Sequence, residues 1–186
     1  MAGDSESVPV LETPRLRLRP FELSDAPGLH EAYGDPEAMR YWDFPAHPSL
    51  AETERALRWV MKHNPYAYGV WAIALKDGGR CIGLVNYHHR EQRNRRLEVG
   101  YILARHYWRR GIMTEAMTAL LEHCFEALGV RRVEALIHPE NLASARLAEK
   151  LGFRRESGPL RDRLLVGDTF QDQVMYALIS RSPQGQ

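Results

Sequence analysis

The stretch from Val99 to Glu115 restricts the fold more than any other part of the chain. A strand-like run, Val99-Gly100-Tyr101-Ile102-Leu103, passes through Trp108-Arg109-Arg110-Gly111 directly into the helix-like run Ile112-Met113-Thr114-Glu115-Ala116-Met117. The first turn of a helix presents backbone N–H groups with no intrahelical acceptor and the positive end of the macrodipole. It therefore holds a phosphate without dedicated side chains. Gly111 lets that backbone approach a ligand closely. Arg109 and Arg110 add charge-assisted donors suited to a diphosphate, and Thr114 adds a hydroxyl in the same turn. The alternative is an ordinary strand-to-helix connection with a solvated basic face. Neither G-x-x-x-x-G-K-[ST] nor G-x-G-x-x-G occurs, so no nucleotide P-loop and no dinucleotide fingerprint is supported.

At 186 residues the chain suits one domain with a well-covered core, expected over 11–180, with loose ends at 1–10 and 181–186. Lys and Arg number 25 against 24 Asp and Glu, a formal charge of +1 that argues against broad capture of nucleic acid. No apolar run approaches a membrane span, and Met1 to Ser7 lacks the basic and apolar regions of a signal peptide. A cytoplasmic protein without membrane or nucleic-acid partners is the expectation. Cys81 and Cys124 have no metal-type spacing and are expected to be reduced and structural. The basic run Arg90-Glu91-Gln92-Arg93-Asn94-Arg95-Arg96 reads as a solvated hairpin tip, or else as a contact for an acidic partner.

Leu16-Arg17-Leu18-Arg19 alternates like a strand, and the segment Glu22 to Ala26 carries cap residues ahead of a helical pattern at Leu29, Ala32 and Tyr33. Leu50, Ala56, Leu57, Val60 and Met61 suggest an amphipathic helix opened by a Ser49/Glu52 capping box and ending near Asn64-Pro65. Tyr66–Leu75 and Cys81–His88 are strand-like and joined by a turn containing Asp77-Gly78, and a second hairpin joins His88 to a strand over Leu97–Leu103. The long helix after the basic turn ends at Gly129, a strand follows at Val133–Ile137, and a helix over Leu142–Leu151 ends at Gly152. Phe153 and Thr169–Ile179 complete the sheet. The result is an α+β fold with a mixed, mostly antiparallel sheet rather than a doubly wound one.

A second motif, Asn141-Leu142-Ala143-Ser144-Ala145-Arg146-Leu147-Ala148-Glu149-Lys150-Leu151-Gly152-Phe153, lies one helix and one strand beyond the basic turn. With both motifs in this order the chain resembles the Gcn5-related N-acetyltransferase (GNAT) superfamily over about Thr13 to Ile179. Leu11-Glu12-Thr13-Pro14-Arg15-Leu16-Arg17-Leu18-Arg19, the Trp108–Ala116 turn and Asp172-Gln173-Val174-Met175-Tyr176 look like its ribosomal-protein N-terminal acetyltransferase (RimJ/RimL) branch. Trp108 and Met113 replace the usual first and last residues of the superfamily turn, R/Q-x-x-G-x-G/A. Met113 puts a larger side chain where a small one is common, and adjusted packing is expected there.

The resemblance implies acetyl-CoA as the acyl donor, a sheet flanked by helices and splayed beside Tyr101-Ile102-Leu103, and pantetheine amides bonded to that strand as if to an added one. It assigns the pyrophosphate to Trp108, Arg109, Arg110, Gly111, Ile112, Met113 and Thr114, and the pantetheine flank to Asn141 and Ser144. Ser144 matches the proposed proton donor to the leaving thiolate, its alternative being a local hydroxyl in a helix first turn. Asn141 caps that helix, bonds pantetheine, or does both. Glu98 precedes Val99-Gly100-Tyr101 and is the candidate base, its alternative a strand-end carboxylate paired with Arg95 or Arg96. Tyr101 reads as a packed aromatic rather than a proton donor. His88 and His89 should point to opposite sheet faces, so at most one enters the site. No metal site is implied.

The acceptor is a primary amine. An α-amino group, with a pKa of about 7.7–8.0, needs little base, whereas a lysine at about 10.4 needs far more. That fits a protein N-terminus, with polyamines and antibiotics as the small-molecule alternative and a non-catalytic acyl-CoA-binding module as another. Trp42, Phe44, Trp59, Tyr66 and Trp71 are candidates to shape the acceptor pocket, or else core. Oligomeric state stays open, a homodimer being common among similar proteins.

Overall fold

Leu16 and Leu18 are fully buried while Arg17 between them is exposed, the two-residue alternation of a strand with one covered face. In the computed structural model, which describes residues 8–62 and 68–180, this strand belongs to a nine-stranded sheet. Strands β1 (Leu11–Glu12), β2 (Leu16–Arg19), β3 (Gly69–Leu75), β4 (Cys81–Glu91) and β5 (Arg96–Leu103) follow one another antiparallel. Strand β6 (Arg132–Ile137) then joins β5 in parallel, and β9 (Thr169–Ile179) lies antiparallel to β6. The short β7 (Arg154–Arg155) and β8 (Leu160–Val166) both pair with β9. The sheet is thus mixed and mostly antiparallel, as expected, with four helices on its faces: α1 (Ala26–Tyr33), α2 (Leu50–Lys62), α3 (Ile112–Glu126) and α4 (Leu142–Lys150). The termini, the stretch Asn64-Pro65 and Tyr66 lie outside the described residues.

β5 separates two cores. Leu97, Val99 and Leu103 belong to a cluster with Met117, Leu120 and Leu121 of α3 and Ala148 of α4. Ile102, on the other face, packs with Leu29 and Ala32 of α1 and Leu57 of α2. Trp71 lies in the first cluster, fully buried, its Nε1–H donating to the Pro9 carbonyl at 2.7 Å and its ring edge-on to His123. It therefore shapes no acceptor pocket: the strand alternation sends it toward α3. Cys81 and Cys124 are free and buried, and burial pushes both thiols up to about 12, which leaves them unreactive.

The parallel pairing of β5 with β6 runs Arg96 to Arg132, Leu97 to Val133 and Glu98 to Glu134, and goes no further. β5 continues against β4 as far as Leu103 opposite Gly83. One edge of β5 from Val99 to Leu103 is therefore left without a strand partner, the expected splay.

β8 was not expected from the sequence. Its residues, LRDRLLV, show no clean alternation, because Asp162 has a positive φ of 49° and the register with β9 shifts between Leu160 and Leu164. The basic hairpin tip is a structural device as well as a solvated turn. Arg95 donates twice to the Gly129 carbonyl, at 2.8 and 2.6 Å, and Arg90 to the Leu128 carbonyl at 3.4 Å, so the tip closes over the end of α3.

Candidate functional site

Val99 to Leu103 meets the basic turn through Ala104, whose N–H donates to the Ile82 carbonyl at 2.9 Å. Trp108 Nε1–H reaches back to the Leu103 carbonyl at 2.7 Å, fixing the loop onto the strand end. Arg109 and Gly111 both have positive φ, 59° and 72°, and Gly111 is the N-terminal cap of α3. Only glycine adopts that cap geometry at little cost. Two side chains lock the turn from outside. Arg15 donates from its guanidinium to the Arg110 carbonyl at 3.0 Å and to Glu115 Oε2 at 2.7 Å. Thr13 Oγ1 and the Arg15 N–H share Glu115 Oε1 at 2.6 and 2.8 Å. Partial burial opposes the Glu115 charge, yet the hydrogen bonds from Thr13 and Arg15 hold its carboxyl below the usual range. Met113 turns its side chain onto the core, so its size does not fill the turn.

At the other end of the open edge, Asn141 Oδ1 accepts from the Ser144 N–H at 3.1 Å and caps α4, as expected. The Ser144 hydroxyl is not spent on the helix. Its Oγ lies 2.6 Å from the Tyr101 hydroxyl, a contact that bridges β5 and α4 across the splay. Burial pushes the Tyr101 phenol up to about 12, so it stays protonated and able to donate. Tyr101 is packed against the first core, yet its hydroxyl belongs with Ser144; residues 43 positions apart give no sequence signal for such a pair. Just ahead of α4 the Tyr41 ring stacks on His138, with centroids 4.8 Å apart, and its hydroxyl reaches the Glu140 carbonyl at 3.5 Å.

Glu98 shares a face with Gly100 and Ile102, opposite to that of Tyr101. Its carboxylate is not paired with Arg95 or Arg96. Arg96 is drawn to Glu91 at 2.6 Å and to the buried Glu134 at 2.9 Å, and Arg132 also holds Glu134 at 2.5 Å. Two arginines thus neutralise Glu134, which sits beside Glu98 in the β5–β6 register. Glu98 instead contacts His88 Nε2 at 3.5 Å and His89 Nδ1 at 3.3 Å. Both histidines turn to one carboxylate, contrary to the expected alternation, because β4 is irregular between His88 and Glu91 and His89 has a φ of 49°. The hydrogen bond with His88 outweighs desolvation and lowers the Glu98 pKa, so it is ionised at neutral pH.

The wall around Glu98 includes residues the sequence reading did not single out. Asp43 lies near enough to His88 for their attraction to oppose the desolvation that raises its pKa. Asn86 lies beside Gly100 on the neighbouring strand. A Cβ at Gly100 would sit 2.7 Å from Asn86 Oδ1, so glycine makes room for that amide. Trp42 and Phe44 pack around Tyr33 in the second cluster, at centroid distances of 6.2 and 5.3 Å. Trp59 is 56% exposed and edge-on to Tyr68.

The arrangement has an unpaired strand edge, a turn rich in free N–H groups at one end, a hydroxyl pair on one face and an ionised carboxylate on the other. Residues 15–154 match the family model described as the Acetyltransferase (GNAT) domain. An uncharacterized N-acetyltransferase of Bacillus licheniformis, p20, is 31% identical over 176 residues, 94% of this chain and 98% of that protein. A Bacillus subtilis protein provisionally named ribosomal N-acetyltransferase YdaF is 33% identical over 175 residues, 92% of this chain and 94% of its own. The crystal structure of a GCN5-related N-acetyltransferase from Brucella melitensis superposes with a TM-score of 0.83 at 25% identity, covering 94% of this chain and 80% of that one. Strand edge, turn and motifs therefore belong together: the chain is a member of the GNAT acetyltransferase family, whose enzymes use acetyl-CoA, and is an N-acetyltransferase.

Proposed function

We propose that the protein moves an acetyl group from acetyl-CoA directly to the α-amino group of a polypeptide, as the ribosomal-protein N-terminal branch is named for doing. The observation that carries this reading is the parting of β5 from β6 immediately after Glu98, which leaves an open edge between the Ser144–Tyr101 pair and the carboxylate. The residues present fit the donor. The backbone of Val99 to Leu103 has edge N–H and C=O groups for an extended amide-bearing arm, in the manner of strand addition. The turn from Trp108 to Thr114 offers N–H groups at a helix start, with the Arg109 and Arg110 side chains nearby for a diphosphate. Bound acetyl-CoA supplies the acyl group as a reactive thioester.

Each face then has one task. The α-amine arrives in its neutral form, and Glu98 accepts at a carboxylate oxygen the proton that its nitrogen sheds on attacking the thioester. The Ser144 hydroxyl gives a proton to the departing sulfur, and the Tyr101 hydroxyl, at 2.6 Å, hydrogen-bonds the serine oxygen as that proton leaves. Asn141 fixes the first turn of α4 and with it the Ser144 position. An acidic carboxylate is a weak base, which suits an α-amine far better than a lysine. The sequence likeness to YdaF supports the same acceptor class.

Thiol release from acetyl-CoA, measured against N-terminal peptides, lysine ε-amine peptides with blocked N-termini, spermidine and aminoglycosides, tests the proposal. Peptide α-amines should give the highest kcat/KM. Preference for spermidine or an aminoglycoside would overturn the acceptor, and binding of CoA without acceptor-dependent release would favour a non-catalytic acyl-CoA module.

A further inference from the structure

His88, His89 and Glu98 present three ligand atoms that all lie within 4.8 Å of one another. The two nitrogens sit 3.5 and 3.3 Å from the two carboxylate oxygens. Ligands about 2.0–2.2 Å from a tetrahedral zinc ion stand roughly 3.3 Å apart, the spacing each imidazole nitrogen already has from one oxygen of the carboxylate. Gathering all three atoms, which lie within 4.8 Å of one another, onto one ion takes side-chain rotation, for which His89 has room at 74% exposure. Two imidazoles and one carboxylate are the donor set of zinc-class divalent ions, not of magnesium or calcium, which take oxygen ligands.

The backbone supports the same conclusion independently. His89 is a non-glycine residue with a φ of 49°, a conformation that side chains other than glycine adopt at a cost, in an irregular stretch of β4. A regular strand would turn His89 to the opposite face. The irregularity instead brings two adjacent imidazoles onto one carboxylate, with ring centroids 4.9 Å apart.

We propose that His88, His89 and Glu98 bind one zinc-class divalent cation, with solvent at the fourth position, and that the cation blocks transfer by occupying the carboxylate needed for the acceptor amine. The blocking half rests on the function proposed above; the binding half does not. Cobalt(II) is the probe, because ligand-field bands in the visible report its coordination without any turnover. Titrating the full chain with cobalt(II) should give bands saturating at one ion per chain, which zinc(II) abolishes by displacement. His89→Ala should weaken cobalt binding by at least about the 10- to 100-fold that loss of even an outer-shell partner costs. His106→Ala, at an exposed histidine paired with Glu31, should leave it unchanged. Circular dichroism confirms that both variants fold. Absence of bands in the parent chain, or bands unaltered by His89→Ala, would overturn the site. In the transfer assay, zinc(II) should inhibit the parent chain and lose that potency against His89→Ala. Saturation by the metal with unchanged transfer would overturn the blocking. Metal binding in a chain that acetylates no amine would instead leave the site standing and overturn the function proposed above.

Discussion

Replacing Glu98 by Gln should lower kcat/KM for the acceptor amine by roughly 10²–10⁴-fold while leaving CoA affinity within a factor of about two. Glutamine keeps the shape and a hydrogen bond to His88 but cannot take a proton. Its position lies on the β5 face opposite the Tyr101–Ser144 pair, so the donor side is undisturbed. The pH dependence gives a second handle. Because His88 holds the Glu98 carboxyl below the usual range, it is already ionised throughout pH 6–9 and contributes no inflection there. The rise of kcat/KM with pH then follows the acceptor's own deprotonation, with an inflection at about 7.7–8.0 for an α-amine. Steady-state rates across that range, with calorimetric CoA titrations, check both parts. An E98Q protein retaining activity within a factor of about three would remove Glu98 from the chemistry.

Gly83→Val should be among the most damaging single changes to stability, costing about 3 kcal/mol or more. A Cβ at Gly83 would fall 2.2 Å from the Ile102 carbonyl oxygen and 2.9 Å from the Leu103 Cα. Both are backbone atoms of the neighbouring central strand, and neither can yield as a flexible side chain would. Gly78→Ala makes a useful contrast: no atom lies within 4 Å of its added Cβ, and only a φ of +77° opposes the change, a cost of order 1 kcal/mol. For a domain of this size the Gly83 variant should lose roughly 6–12 °C in Tm, if it folds at all. The site should suffer as well, since Gly83 opposes Leu103, the residue that leads into the basic turn. Equal denaturation midpoints for the two variants would show that β4 and β5 are not held as closely as this register implies.

Features set by short-range rules were legible in the sequence. The glycine cap of α3, the Asn141 cap of α4 and the Asp77-Gly78 hairpin each depend on one or two residues whose backbone preferences are strong. The splay after Glu98 was reachable through the family resemblance alone, because no local pattern says where two parallel strands part. What escaped was set by irregularity or by distance along the chain. A single positive φ at His89 reversed the expected facing of a histidine, and the shift at Asp162 hid β8. Trp71 read equally well as pocket or core until the strand face was known. Arg96 was drawn from Glu98 to Glu91 and Glu134, the latter on a strand 38 residues away, and the pairing of Tyr101 with Ser144 spans 43.

The most direct test of the whole account is a crystal structure of the protein with CoA. It should place the pantetheine amides in hydrogen bonds with the free edge of β5 between Val99 and Leu103, the pyrophosphate on the N–H groups between Trp108 and Thr114, and the thiol within reach of Ser144 Oγ. CoA bound elsewhere, or a thiol remote from both Ser144 and Glu98, would contradict it.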